Sequence, residues 1–348
     1  MTGVAETPFD TDLSEAVDEA RGGQAAMPRW RAGLPAIAAW AIFALMVTFG
    51  QLKYGAIVQS STISNLFINN AHMLIIAVGL TLVVITGGID LSVGAVIAVS
   101  SVAGVMLSNQ GWNPYAVIAV MVLIGTAFGL ASGVLVEFVG MQPFIATLTM
   151  MFLARGIAST LSTSSERLDP DSPIRELGHQ FKLHDGEKVN DLVITPGVMI
   201  ALATVALGVF LSRRTRFGRT VYAIGGSESA ARLMGLPVRR TRLLAYVLSG
   251  TLSAIAGVVY TSRIGNAQNI TGIGWELTAI AAVVIGGTVL TGGYGSIAGS
   301  VVGVLVLGMM NVLITRDGGI RPEWTTIITG SILFAFVLLQ RAVTGRRG

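Results

Sequence analysis

The chain of 348 residues is 52% hydrophobic and only 12% charged, with a mean hydropathy of +0.71; soluble domains carry about 25% charged residues, so most of this chain is excluded from water. A pI of 9.7 and a net charge of +4 would suit a nucleic-acid binder, but the basic residues flank apolar runs, as positive-inside loops of a polytopic membrane protein do. There is no cysteine, which excludes disulfides and thiolate metal sites.

Residues 1–31 are polar, with Glu6, Asp10, Asp12, Glu15, Asp18 and Glu19 against three arginines. They lack the basic start, apolar core and cleavage site of a signal peptide and are read as a polar cytoplasmic tail.

A membrane-spanning helix needs about 20 apolar residues. Ten segments approach this: Ala32–Gly50, Phe67–Thr86, Leu91–Leu107, Tyr115–Val139, Phe144–Leu161, Val193–Leu211, Leu243–Tyr260, Leu277–Leu290, Ser296–Ile314 and Trp324–Arg341. The third and eighth are short and glycine-interrupted; broken segments at membrane depth are tolerated where protein or a water-filled cavity satisfies their backbone. The expectation is an all-α polytopic fold of about ten transmembrane helices over residues 32–342, with 343–348 as a second cytoplasmic tail.

Charge orients these segments. The linker 212–242 carries eight arginines and one acid, Glu228, whereas 155–191 carries five basic and seven acidic residues. Arg29, Arg31, Arg341, Arg346 and Arg347 fall on the linker's side in a ten-helix count, so both chain ends are expected in the cytoplasm and the long connection 162–192 outside.

Gly125, Gly129 and Gly133, then Gly295, Gly299 and Gly303, recur every four residues, a spacing that lets helix backbones approach closely. VVITGGIDLSVG from Val83 and VVIGGTVLTGG from Val283 share a Val-Val-Ile run and a Gly-Gly pair before a further apolar segment, an echo that either a repeat of the kind found in transporter folds or chance in low-complexity apolar sequence produces.

Two segments carry mechanism. In the basic linker, Glu228-Ser-Ala230-Ala231-Arg232 followed by Gly235 and Pro237 suits a short helix: an acid in its first turn is favoured by the dipole, glycine ends it and proline prevents its resumption. Positive-inside bias explains the arginines around it, Arg216 and Arg219 beside Gly218 included, but not this Glu-x-Ala-Ala spacing. In Ile85–Gly94, Asp90 lies in an otherwise charge-free stretch with Gly87, Gly88 and Ser92. A charge at membrane depth needs a partner or a role. The role here is capping of the helix expected from Leu91, or contact with a pathway.

Four segments resemble those of ribose- and galactose-type sugar ABC permeases: Ile85–Gly94, Gln142–Leu148 (QPFIATL), the Arg216–Pro237 linker, and Glu276–Gly287 (ELTAIAAVVIGG) with Gly292–Gly295. They occur in order from about residue 65 to the C-terminus; branched-chain amino-acid permeases are less similar. Phe152–Gly156, the long outer loop and Leu338–Arg341 are similar to the second permease of galactofuranose-type systems. The resemblance implies a type II ABC importer-like permease bundle in a bacterial inner membrane. It implies as partners a second permease copy or a paralogous permease, cytoplasmic ATP-binding subunits that hold ATP and magnesium, an extracytoplasmic sugar-binding protein and the surrounding lipid. Galactofuranose, galactose or ribose is the substrate class, and the linker residues Arg216, Gly218, Arg219, Glu228, Ala230, Ala231, Arg232, Gly235 and Pro237 are the ATPase-coupling set.

Sugar handling draws on aromatic faces and polar groups in an apolar route. The candidates are Gly87, Gly88, Asp90, Ser92, Gln142, Phe144, Thr147, Trp275, Glu276, Gly286, Gly287 and Asn311, although Trp275 also suits an interfacial aromatic belt. The outer loop 166–191, with four basic and seven acidic residues, suits either a dock for a binding protein or a cover over the bundle mouth.

No P-loop pattern G-x-x-x-x-G-K-[ST] is present, His72, His179 and His184 lack ligand spacing, and Thr215, Thr220, Ser227 and Ser229 have no base beside them. No catalytic residue, metal site, resident cofactor or nucleic-acid partner is expected. An ion-driven secondary transporter would want ionisable residues within its spans, and only Asp90 and Glu137 come near; an enzyme acting on lipid-linked sugar would want an interfacial cluster of acids or histidines.

Overall fold

The computed structural model describes residues 29–182, 192–318 and 324–344. The acidic residues of the N-terminal tail, His184 and the rest of 183–191, and Arg346 and Arg347 lie outside the described residues.

Twelve α-helices follow in chain order among the described residues: α1 (Arg29–Tyr54), α2 (Ser60–Ile85), α3 (Val93–Asn109), α4 (Pro114–Glu137), α5 (Pro143–Leu161), α6 (Pro196–Arg214), α7 (Arg216–Gly226), α8 (Glu228–Leu233), α9 (Val238–Ile264), α10 (Trp275–Ile285), α11 (Ile297–Asp317) and α12 (Trp324–Thr344). Seven are long and apolar enough to cross a membrane: α1, α2, α4, α5, α6, α9 and α11. α3, α10 and the described part of α12 are shorter apolar helices. Each of the ten expected segments therefore holds a helix, but seven, not ten, meet the length of a full span. The eighth falls furthest short: it stops at Ile285, five residues before the expected Leu290, because Gly286 and Gly287 follow and Gly287 takes φ +91. The first begins at Arg29, three residues before the expected Ala32.

Helix starts follow local chemistry. Pro114, Pro143 and Pro196 occupy first-turn positions whose missing N–H is no loss. Asn113 and Thr195 cap two of these helices, accepting from Tyr115 N at 2.9 Å and Val198 N at 3.2 Å.

α2 is the centre of the bundle: 83% of its apolar window is buried, against 11% for α1. α9 packs beside it and along the glycine ridge of α4. A methyl on Gly125 would collide with the Gly250 carbonyl, and one on Gly129 with the Tyr246 carbonyl. The second ridge works in the same way, Gly299 against Gly286 and Gly303 against Ala282, which seats α11 on α10. Both ridges are close-packing surfaces.

The long connection after α5 is ordered where it is described. It holds β1 (Glu166–Arg167), a 3₁₀ turn (Pro173–Gly178) and β2 (Phe181–Lys182). β1 pairs antiparallel with β4 (Asn266–Ala267), and β2 with β3 (Val193–Ile194). Leu168 and Ile174 bury into one cluster with Val102, Val105, Val258 and Ala267, which seals the ends of α3 and α9. Asn109 Nδ2 donates to the Arg167 carbonyl at 2.8 Å.

Candidate functional site

Two interruptions define the interior. α2 stops at Ile85, Gly87 turns the chain at φ +80, and an irregular segment leads to Val93, where α3 begins. Asp90 is fully buried there. Its Oδ1 accepts from Ser92 N at 2.9 Å and Ser92 Oγ at 2.6 Å, and its Oδ2 accepts from Ser249 Oγ of α9 at 2.7 Å. The expectation that Asp90 caps a helix from Leu91 needs correction: the helix starts two residues later and Ser92 is its N-cap. Asp90 instead ties the break to α9 and orders the approach to the cap.

The second interruption lies around α10. Gly272 and Gly274 adopt φ +71 and +80, which only glycine takes without strain, and they deliver the chain into α10 at Trp275. This entry meets the start of α3, since a methyl on Gly94 would collide with the Gly272 carbonyl. Two helix N-termini, each with a partial positive end, thus face one another. Glu276, in the first turn of α10, occupies the junction: Oε1 accepts from Gly274 N at 3.1 Å, while Oε2 is buried against Gly94 with no protein donor. Arg155 of α5 anchors the incoming loop through the carbonyls of Asn269, at 2.7 Å, and Thr271, at 2.5 Å.

On the other side of α10 lies a cavity of about 690 Å³ between α2, α10, α11 and α12. Its wall mixes amides (Asn69, Asn70, Asn311), threonines (Thr278, Thr325, Thr329), His72 and Trp275 with apolar side chains. The Trp275 ring lies 4.5 Å from the His72 ring and 4.9 Å from the Tyr260 ring, centre to centre, so this wall is a fixed aromatic cluster. An aromatic face with a few amides suits a small polyhydroxylated solute.

At the opposite end of the breaks, Gly293 N donates to the Ile85 carbonyl at 2.9 Å, which joins the two Gly-Gly segments directly. α7 packs against this joint. A methyl on its Gly225 would strike both the Ile85 carbonyl and Gly293 N, and Tyr222 Oη donates to the Gly295 carbonyl at 2.9 Å. α8 follows, capped by Ser227, whose Oγ accepts from Ala230 N at 3.3 Å. Ala231 is fully buried beside Ile224 and Val238, and Gly235 closes the helix at φ +71. Glu228 accepts from Arg232 at 2.6 Å and Arg242 at 2.5 Å; the Arg242 hydrogen bond holds its carboxyl below the ordinary carboxylate range, with Arg232 adding to the effect. Leu233 and Met234, at 89% and 66% exposure, project from the tip.

The residues of the linker thus form one unit. Gly218 fits a tight α6–α7 corner where a methyl would strike the Leu211 and Ser212 carbonyls; Arg216 and Arg219 are exposed on α7; Pro237 caps α9. Within 212–242, α6 runs on to Arg214 and α9 starts at Val238. The route candidates separate. Trp275 and Asn311 line the cavity. Gly87, Gly88, Asp90, Ser92, Gly286 and Gly287 build the breaks, and Thr147 supports the first one through the Ile89 carbonyl at 3.3 Å. Gln142 and Phe144 are exposed at the start of α5 and do not line this cavity. Asn70, His72 and Ser249 were not singled out as site residues from sequence, because single polar residues on apolar helices have no local pattern, nor were Tyr222 and Gly225, whose packing against the breaks is a tertiary contact. Among the described residues there is no group of three or more His, Asp or Glu able to hold a metal.

Comparison with known proteins agrees with this architecture. The family described as branched-chain amino acid transport system / permease component matches residues 62–337. The chain is 50% identical over 311 residues to the fructose import permease FruG of Bifidobacterium longum, covering 89% of this chain and 91% of that one. It is 36% identical over 314 residues to the inner membrane ABC transporter permease YjfF of Escherichia coli, covering 89% and 93%. It is 40% identical over 270 residues to the ribose import permease RbsC of Bacillus subtilis, covering 77% and 80%. No solved structure matches. The chain belongs to this permease family, a multi-pass membrane subunit of ABC transporters and not an enzyme.

Proposed function

We propose that the chain is the permease subunit of an ATP-driven monosaccharide importer. The observation that carries this reading is the cavity at the N-terminus of α10, whose lining brings Trp275 and His72 together with Asn70 and Asn311. Stacking a sugar ring on the indole while amides hydrogen-bond its hydroxyls is the chemistry that cavity can supply. The relatives named for fructose and ribose import support a sugar; galactofuranose and galactose remain members of the same substrate class.

In this reading ten apolar helices cross or enter the bilayer, both chain ends lie in the cytoplasm, and the loop 162–192 faces the extracytoplasmic sugar-binding protein. α7 and α8 face a cytoplasmic ATPase, which holds the ATP and magnesium. Leu233 and Met234 insert into a groove of that ATPase, since two large apolar side chains at a water-exposed tip call for a covering partner. A second permease, identical or paralogous, completes the bundle.

The test is uptake of labelled fructose, ribose, galactose and galactofuranose into sealed vesicles carrying the permease with its ATPase and binding protein. ATP-dependent accumulation of one of them supports the reading. Accumulation of leucine instead would make the substrate a branched-chain amino acid. Uptake that follows an ion gradient without the ATPase would overturn the importer.

A further inference from the structure

The cytoplasmic end of α4 carries Glu137, whose side chain is only 2% exposed. Arg242, in the first turns of α9, is 14% exposed and reaches two carboxylates at once. Its Nη1 donates to Glu137 Oε2 at 2.8 Å and its Nη2 to Glu228 Oε2 at 2.5 Å. Arg232 of α8 closes the set, 2.6 Å from Glu228 and 3.7 Å from Glu137. Three helices therefore converge on one guanidinium. Two carboxylates and two guanidiniums balance in charge, and the planar fork of arginine suits two acceptors in a way a lysine ammonium does not.

Further up α9, about two turns beyond Arg242, Ser249 bonds Asp90 at the entrance to α3, and Gly94 of α3 touches the entry of α10 at the cavity. We propose that Arg242 is a positioning residue that clamps α8 to α4 and α9, so that a displacement of α8 by the ATPase moves α9 as one body and reaches the α3–α10 junction through Ser249 and Asp90. The proposal rests on the importer reading for its consequence and on the geometry alone for the clamp. Apart from the clamp, α8 packs through Ala231 against Ile224 and Val238, with Ala223 and Leu236 beside them; losing the clamp lets it shift without moving the bundle.

Because the chain has no cysteine, labels can be placed without background. Spin labels at Ser229→Cys on α8 and Val139→Cys just beyond α4, both exposed, report the α8–α4 distance in the full-length permease by pulsed electron resonance. The same distance is measured in Arg242→Lys and Glu137→Gln, two isosteric or charge-keeping changes checked for folding by size-exclusion profile. In parallel, sugar taken up per ATP hydrolysed is measured in vesicles holding the permease, ATPase and binding protein. A narrow distance distribution that broadens in both variants is expected, with ATPase association retained and sugar transported per ATP falling about tenfold, within the usual range of site-to-site coupling. Distributions that stay narrow in both variants, or an unchanged transport ratio where they broaden, overturn the proposal. If the unaltered complex shows no ATP-driven uptake, the importer reading fails, and the distance distributions alone decide whether the clamp exists.

Discussion

The hydroxyl of Ser249 lies 2.7 Å from Oδ2 of Asp90, and this bond joins the interior of α9 to the break between α2 and α3. Both residues are buried, at 1% and 0% exposure. Ser249→Ala removes the sole donor that Oδ2 has in the described residues, and a buried acceptor left unpaired costs about 1–3 kcal/mol. Thermal unfolding of the detergent-purified protein is expected to shift downward accordingly; an unshifted midpoint would mean that water reaches Asp90.

Close backbone contact predicts a graded response along the glycines. Gly250→Val would push α9 off Gly125 and Gly129, an overpacking that costs about 1–3 kcal/mol or more, and folded protein recovered from the membrane should drop. Gly156→Ala, on α5 with open space around it, should be neutral or stabilising by about 0.4–1 kcal/mol. Equal recovery of both variants would contradict the ridge.

Gly235 has φ +71 and no atom within 4 Å of a methyl placed there. A side chain at this position is disfavoured by backbone conformation and not by collision, at about 1–2 kcal/mol. Gly235→Arg should therefore leave the bundle folded while displacing α8, with loss of ATPase copurification and of uptake together. Retention of both would show that α8 does not dock.

Trp275→Ala should lower sugar uptake about fivefold or more, on the order of 1 kcal/mol of lost stacking, with ATPase association intact, whereas Trp275→Phe should restore most of it. Uptake that is indifferent to both changes would move the sugar route away from this cavity.

The Glu228 carboxyl titrates below its ordinary value of 4.5 because Arg242 and Arg232 bond its charged form. A lowered value means stabilisation that is present above the ordinary carboxylate value and is lost as pH falls through the folded-state value. A label at Ser229→Cys should keep constant mobility from about pH 8 to about pH 5 and loosen only under stronger acid. Loosening at near-neutral pH would place control on another group.

Much of the architecture was legible because long apolar runs and proline or Ser/Thr/Asn caps are local properties. All ten apolar segments carry a helix, and the Glu228–Leu233 helix with its Gly235 stop is present. α7 was not legible, since an eleven-residue amphipathic helix among arginines looks like a solvated loop until Gly225 and Tyr222 are seen against the breaks. Asp90 was legible as a residue needing partners, but Ser249, 159 positions away, could not be named as one.

Composition and periodicity by themselves determined that the chain lives in a bilayer, where it is interrupted and which loop carries positive charge, because transfer from water to hydrocarbon acts on each residue where it stands. Only the tertiary structure decided that the two interruptions touch, that the N-termini of α3 and α10 face each other beside a cavity, and that Glu137, Glu228 and Arg242 share one network. Those relations depend on helix crossings set by contacts between positions far apart in the chain, such as Ile85 with Gly293, and no local pattern encodes them.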